Sequence, residues 1–148
     1  MFPEVKYFPL SIYLRELSNN SFKLNDIKIK SRLITHVDKF FKSIAYRVEA
    51  EGKIFVYSGD TGICQGIKTI LKNADLAVIE ACQLIGRDEL NTHLSPRKAG
   101  QLGQEAGVKK LILTHLHDID SPQKVIASCR KKFKGLVILA KDFLKIRI

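Results

Sequence analysis

Four short apolar runs in this chain each stop at a residue able to bind a proton or a metal ion. Leu33-Ile34 leads to His36, Phe55-Val56-Tyr57 to Asp60, Leu76-Ala77-Val78-Ile79 to Glu80, and Leu111-Ile112-Leu113-Thr114 to His115. An apolar run of this length between turn residues has the form of a strand. Strands that alternate with helices stack into a layered α/β unit, and ligands bind in the crevice at the strand ends. Recurrence on four strands therefore constrains both the fold and the place where chemistry can occur.

The segments between these runs fill in the architecture. Asp26 to Ile34 alternates apolar and polar residues, as a half-buried strand should. Ile44 to Glu49 and Lys53 to Tyr57 flank Ala50-Glu51-Gly52, which reads as a hairpin with glycine in its turn. After Gly62 the period becomes helical, through Ile63, Ile67, Ile70 and Leu71. Ser95-Pro96 supplies an N-cap and first-turn proline for a helix closed by Gly107, and Ser121-Pro122 opens another closed by Gly135. Leu136 to Ala140 and Phe143 to Ile148 are expected to be terminal strands around a turn at Lys141-Asp142. Without a linker, repeat or low-complexity tract, residues 1–148 read as a single unit.

Composition narrows the class. A chain of 148 residues can bury roughly 70% of its unfolded surface, enough for one core. Its 45% hydrophobic and 27% charged content exclude disordered and collagen-like classes. The longest apolar runs fall far short of the ~20 residues a membrane span needs, and MFPEVKYFPL lacks the layout of a secretory signal. Cys64, Cys82 and Cys129 are an odd, scattered set, which points to reduced thiols and a cytoplasmic location. The net charge is +10, and residues 109–148 supply ten Lys/Arg against three Asp. Such a surplus concentrates polyanions such as nucleic acid.

The order of the motifs carries a resemblance. Thr35-His36, Ser43-Ile44-Ala45-Tyr46-Arg47 and Val56-Tyr57-Ser58-Gly59-Asp60-Thr61 resemble the central stretch of the metallo-β-lactamase superfamily, closest to its ribonuclease Z-like phosphodiesterase branch. Ala74 to Ala81, Thr92-His93-Leu94-Ser95, the helix with Ala99-Gly100, and Gly107 to His115 continue the likeness in the same order. It covers residue 24 to the end. The fold it implies is the C-terminal half of an αββα sandwich, an α/β arrangement with a mixed sheet and about three helices. His36 then resembles a ligand of one zinc and His115 a ligand of the other, with Asp60 bridging both. Glu80 and His93 resemble the pair that protonates the leaving oxygen. Carboxylates bridge cations and neutral imidazoles ligate zinc, while a carboxylate beside an imidazole favours the charged ring, an acid suited to a departing alkoxide. Manganese is a second candidate metal.

One part of the superfamily pattern is missing from the sequence. H-x-H-x-D-H, which supplies most remaining metal ligands, does not occur; the only H-x-H is His115-Leu116-His117, followed by Ile119 and Asp120 where Asp and His are required. His117 and Asp118 are therefore expected to be loop residues. Ile79 stands where the branch has His, and Cys82 where it has Thr. The resemblance thus covers a partial domain that implies a phosphodiesterase acting on RNA when complete and an inactive chain alone. Two sheets pack face to face in the full fold, so self-association or a complementary N-terminal half is expected. The competing readings are a non-catalytic basic binding module or subunit that retains the fold, and a plain nucleic-acid binder.

Overall fold

Residues 18–36, 42–86 and 91–148 are described in the computed structural model of the chain. Expectations for the first seventeen residues, including the reading of MFPEVKYFPL, lie outside them. The strands form one sheet in strict chain order, β1 to β7. The first four are antiparallel neighbours: β1 (Ser21–Leu24), β2 (Ile27–Thr35), β3 (Lys42–Ala50) and β4 (Lys53–Tyr57). The β3–β4 turn is the expected one. Glu51 and Gly52 have φ of 51° and 71°, the pair of positive values that matches the twist of a two-residue hairpin.

From β4 onward the connections become helical crossovers and the strands run parallel. The order is α1 (Gln65–Ile70), β5 (Leu76–Glu80), α2 (Pro96–Glu105), β6 (Lys110–Thr114), α3 (Pro122–Arg130) and β7 (Leu136–Leu139). Ser95 and Ser121 cap α2 and α3 by accepting from the N–H groups of Lys98 and Lys124, as their Ser-Pro openings imply. The α3 helix ends at Arg130 with Lys131 as its C-cap, so Gly135, expected to close it, lies beyond the cap.

Strand alternation divides the sheet into two apolar faces. Ala45, Val56, Ala77, Ile79, Leu111, Leu113 and Val137 form a buried core with Ile67, Leu102, Val125, Cys129 and Phe133 from the helical side. Burial of each large aliphatic side chain there stabilises by roughly 1.5–3 kcal/mol. Burial also pushes the Cys129 thiol up to about 12, so it behaves as an inert apolar group. On the opposite face Ile29, Leu33, Ile44, Val48, Phe55, Val78 and Ile138 are half-buried, while Leu76 and Ile112 are buried. Asp75 locks the base of the sheet: it accepts from Lys109 Nζ at 2.8 Å and the Ile54 N–H at 2.9 Å. Those contacts, Lys109 foremost, hold its carboxyl below the usual range.

One expected element is not a strand. Phe143–Ile148 has no ladder partner, and Phe143 is 97% exposed. Its alternation specifies which side chains could share a face, but a strand needs a neighbouring edge with which to exchange hydrogen bonds.

Candidate functional site

The four sequence-selected strand ends meet at the C-terminal edge of the parallel strands. Local backbone bonds bring them together. The loop after β4 is tied to β2 by a Gly62 N–H bond to the Thr35 carbonyl at 2.7 Å, and to β5 by a Ser58 N–H bond to the Val78 carbonyl at 2.9 Å. Ser58 Oγ, itself buried, accepts the Glu80 N–H at 3.0 Å. Gly62 permits the loop to lie against the segment before α2, since a Cβ there would stand 1.6 Å from the Asn91 carbonyl oxygen.

Glu80 is the hub. Its side chain is 1% exposed, yet both carboxylate oxygens are fully engaged. Oε1 accepts from the Thr61 N–H and from His93 Nδ1, each at 2.8 Å. Oε2 accepts from the N–H groups of Cys82 at 3.0 Å and Leu94 at 3.3 Å. One anion thus joins the β4–α1 loop, the exit of β5 and the segment before α2. Charge-assisted bonds of this kind are about twice as strong as neutral ones.

Three imidazoles line up beside it. His36 and His93 have ring centroids 4.7 Å apart, and His93 and His115 5.4 Å apart. Each ring is held through Nδ1 by an oxygen: His36 by the Thr92 carbonyl at 3.1 Å, His93 by Glu80, and His115 by Asp60 Oδ1 at 3.0 Å. A carbonyl or carboxylate only accepts, so Nδ1 carries the proton and Nε2 is left as the donor atom. This is the arrangement that metal-binding histidines use. His115 and Asp60 are both 45% exposed, so their pairing stabilises the fold little; it orients a ring. His115 also has φ of 53°, a left-handed conformation that costs a non-glycine residue on the order of 1 kcal/mol and recurs at functional sites.

The structure therefore brings His36, Asp60, Glu80, His93 and His115 into one cluster. It adds Cys82, which the sequence offers as a reduced thiol standing where a threonine is usual, not as a site residue. Among the described residues, donor atoms of Cys82, His93 and His115 lie within 4.8 Å of one another. A set of imidazole nitrogens with a thiol and a carboxylate close by suits a borderline cation, so the residues present fit a metal ion. Burial, then the carboxylates of Glu80 and Asp60, push the Cys82 thiol up. The signal was available: Cys82 sits two residues beyond Glu80, at the same strand end as the other candidates. His117, expected in a loop, is exposed there, with Nε2 3.8 Å from Cys82 Sγ.

Comparison with known proteins identifies the family and the fold. The family described as "Beta-lactamase superfamily domain" matches residues 10–116. Ribonuclease Z of Thermobifida fusca (strain YX) is 33% identical over 109 residues, covering 70% of this chain and 34% of that protein. The chain thus spans about a third of this curated relative. Solved structures that share the fold include these two. The metallo-beta-lactamase fold protein YhfI from Bacillus subtilis superposes with a TM-score of 0.77 at 22% identity, over 86% of this chain and 52% of that one. The short form of human tRNase Z gives 0.64 at 23% identity, over 88% and 46%.

Proposed function

Because the chain belongs to the metallo-β-lactamase superfamily, whose members are metal-dependent, we propose that it is the C-terminal part of a hydrolase cleaving phosphodiesters, with RNA as the substrate class. The observation that carries the proposal is the row of three imidazoles, each held by an oxygen at Nδ1 and each presenting Nε2 at the strand ends. His36 and His115 would each hold one cation, zinc or manganese, and Asp60 would bridge the two. Such a pair supplies Lewis acidity toward a phosphoryl group and its attacking water. The half-buried apolar sheet face supports a complementary half carrying H-x-H-x-D-H as the partner that completes the site.

The chain's own residues have separable tasks. Glu80 is buried and reaches the reacting atoms only through His93, so its task is positioning. A protonated His93 keeps Nδ1–H on Glu80 and presents Nε2–H to the leaving oxygen, which takes the proton as the P–O bond breaks. The basic residues of the last third would attract an RNA backbone.

The test mixes the chain with the N-terminal part of a relative that contains H-x-H-x-D-H and measures turnover of bis(p-nitrophenyl) phosphate and of RNA. We expect no turnover by either part alone, zinc- or manganese-dependent turnover by the pair, and its loss in Asp60→Ala. Turnover by the chain alone, or an Asp60→Ala pair as active as the parent, overturns the reading.

A second reading, a basic binding module without chemistry, is favoured by a pocket of ≈ 300 Å³ lined by Lys30, Arg32, Arg47 and Lys72 and by none of the imidazoles. It predicts RNA affinity that falls steeply with salt and ignores chelators.

A further inference from the structure

We propose that this chain by itself binds one thiophilic divalent cation, zinc, through Cys82 Sγ and the imidazoles of His93 and His115. The proposal does not rest on the hydrolase reading, for this donor set omits His36 and Asp60 as ligands and needs no H-x-H-x-D-H.

Three observations carry it. The three donor atoms already lie within 4.8 Å of one another, close enough to shrink onto one ion by side-chain adjustment. Both imidazoles are braced from behind by carboxylates, His93 by Glu80 at 2.8 Å and His115 by Asp60 at 3.0 Å. Carboxylate–imidazole–metal relays of this kind fix the tautomer and raise the basicity of the donor nitrogen. The third donor is sulfur, which selects zinc over magnesium or calcium. Three protein ligands leave one position of a tetrahedron open, and water fills it. Binding replaces the thiol proton, which leaves to His117 Nε2, 3.8 Å from Sγ, or to solvent; no electrons are transferred.

A cation held this way occupies the ring that the hydrolase reading assigns as proton donor. The site shares His115 with a centre built on His36, Asp60 and His115 but takes Cys82 and His93 in place of the other two, and cysteine distinguishes them.

The test titrates the 148-residue chain with cobalt(II) and then zinc, following absorption. We expect a thiolate-to-cobalt charge-transfer band in the near ultraviolet that zinc abolishes by displacement. Cys82→Ser should remove the band and weaken zinc binding at least about tenfold, a loss at the low end for disturbed metal sites. Cys64→Ser should leave both unchanged. Zinc should also protect Cys82 from alkylation in the unaltered chain, mapped by mass spectrometry, which decides the matter even if the variants fail to fold. Cobalt binding without a thiolate band, a Cys82→Ser chain that binds like the parent, or a Cys82 alkylated equally fast with and without zinc overturns the proposal. None of these outcomes bears on whether the paired halves hydrolyse phosphodiesters, so the two readings fail separately.

Discussion

Replacing Glu80 by Gln keeps shape and removes only charge and one acceptor, which makes it a sharp probe of the hub. The carboxylate accepts four bonds, two on each oxygen. A glutamine amide offers one oxygen and one NH2. If the oxygen takes the place of Oε1, the Cys82 and Leu94 N–H groups face an NH2; if the amide turns over, Thr61 and His93 do. The first orientation leaves two donors unmet; the second leaves the Thr61 N–H unmet and makes His93 move its proton to Nε2 so that Nδ1 can accept from the NH2. An unsatisfied buried donor costs about 1–3 kcal/mol, and the longer bonds to Cys82 and Leu94 are the cheaper pair to lose. Glu80→Gln should therefore destabilise by about 2–3 kcal/mol. With a urea slope of about 2 kcal/mol/M for a chain of this size, the midpoint should fall by about 1–1.5 M. Unfolding followed by far-ultraviolet circular dichroism, with chelator present to remove metal linkage, measures it. A shift below about 0.5 kcal/mol would refute the reasoning and leave Glu80 a purely chemical group.

Three further outcomes are expected. Lys30 and Arg47 each place a donor 2.7 Å from Glu49 Oε1 and hold that carboxyl at about 2, below its ordinary 4.5. A lowered folded-state value means the pair's contribution, about 1–2 kcal/mol after screening, is complete above pH 4.5 and lost as pH falls toward 2. The stability advantage of the parent over Glu49→Gln in urea titrations should shrink across that window; an advantage independent of pH contradicts it. Gly62→Ala drives a Cβ to 1.6 Å from the Asn91 carbonyl oxygen and should cost at least about 2 kcal/mol, read as a lowered unfolding midpoint. His115→Gly relieves the left-handed backbone and loses an exposed hydrogen bond to Asp60 and an edge contact with His93, so thermal unfolding should show a change under about 0.5 kcal/mol, and a loss beyond about 1 kcal/mol argues against strain at that residue.

Much of the architecture was written in local pattern. The β6 strand runs over Lys110–Thr114 as its apolar run implied, and both Ser-Pro pairs open helices because the serine hydroxyl and the proline ring satisfy the first turn without help from elsewhere. Where a neighbour decides, local pattern was silent or misleading. The four-residue β1 exists by pairing with β2, and the alternation of Phe143–Ile148 finds no edge to join.

The candidate site divides along the same line. Residue type at a strand's end is local information, so His36, Asp60, Glu80 and His115 could be picked out one by one, whereas His93, which lies before α2, was singled out only through the family resemblance that the order of the motifs carries. Which nitrogen of each ring is tied down, that a single buried carboxylate binds three separate segments, and that Cys82 stands with two histidines rather than apart from them are facts about distances across the fold. Those distances follow from parallel strands ending side by side while their helices pack on the other side of the core, and only the folded chain sets them.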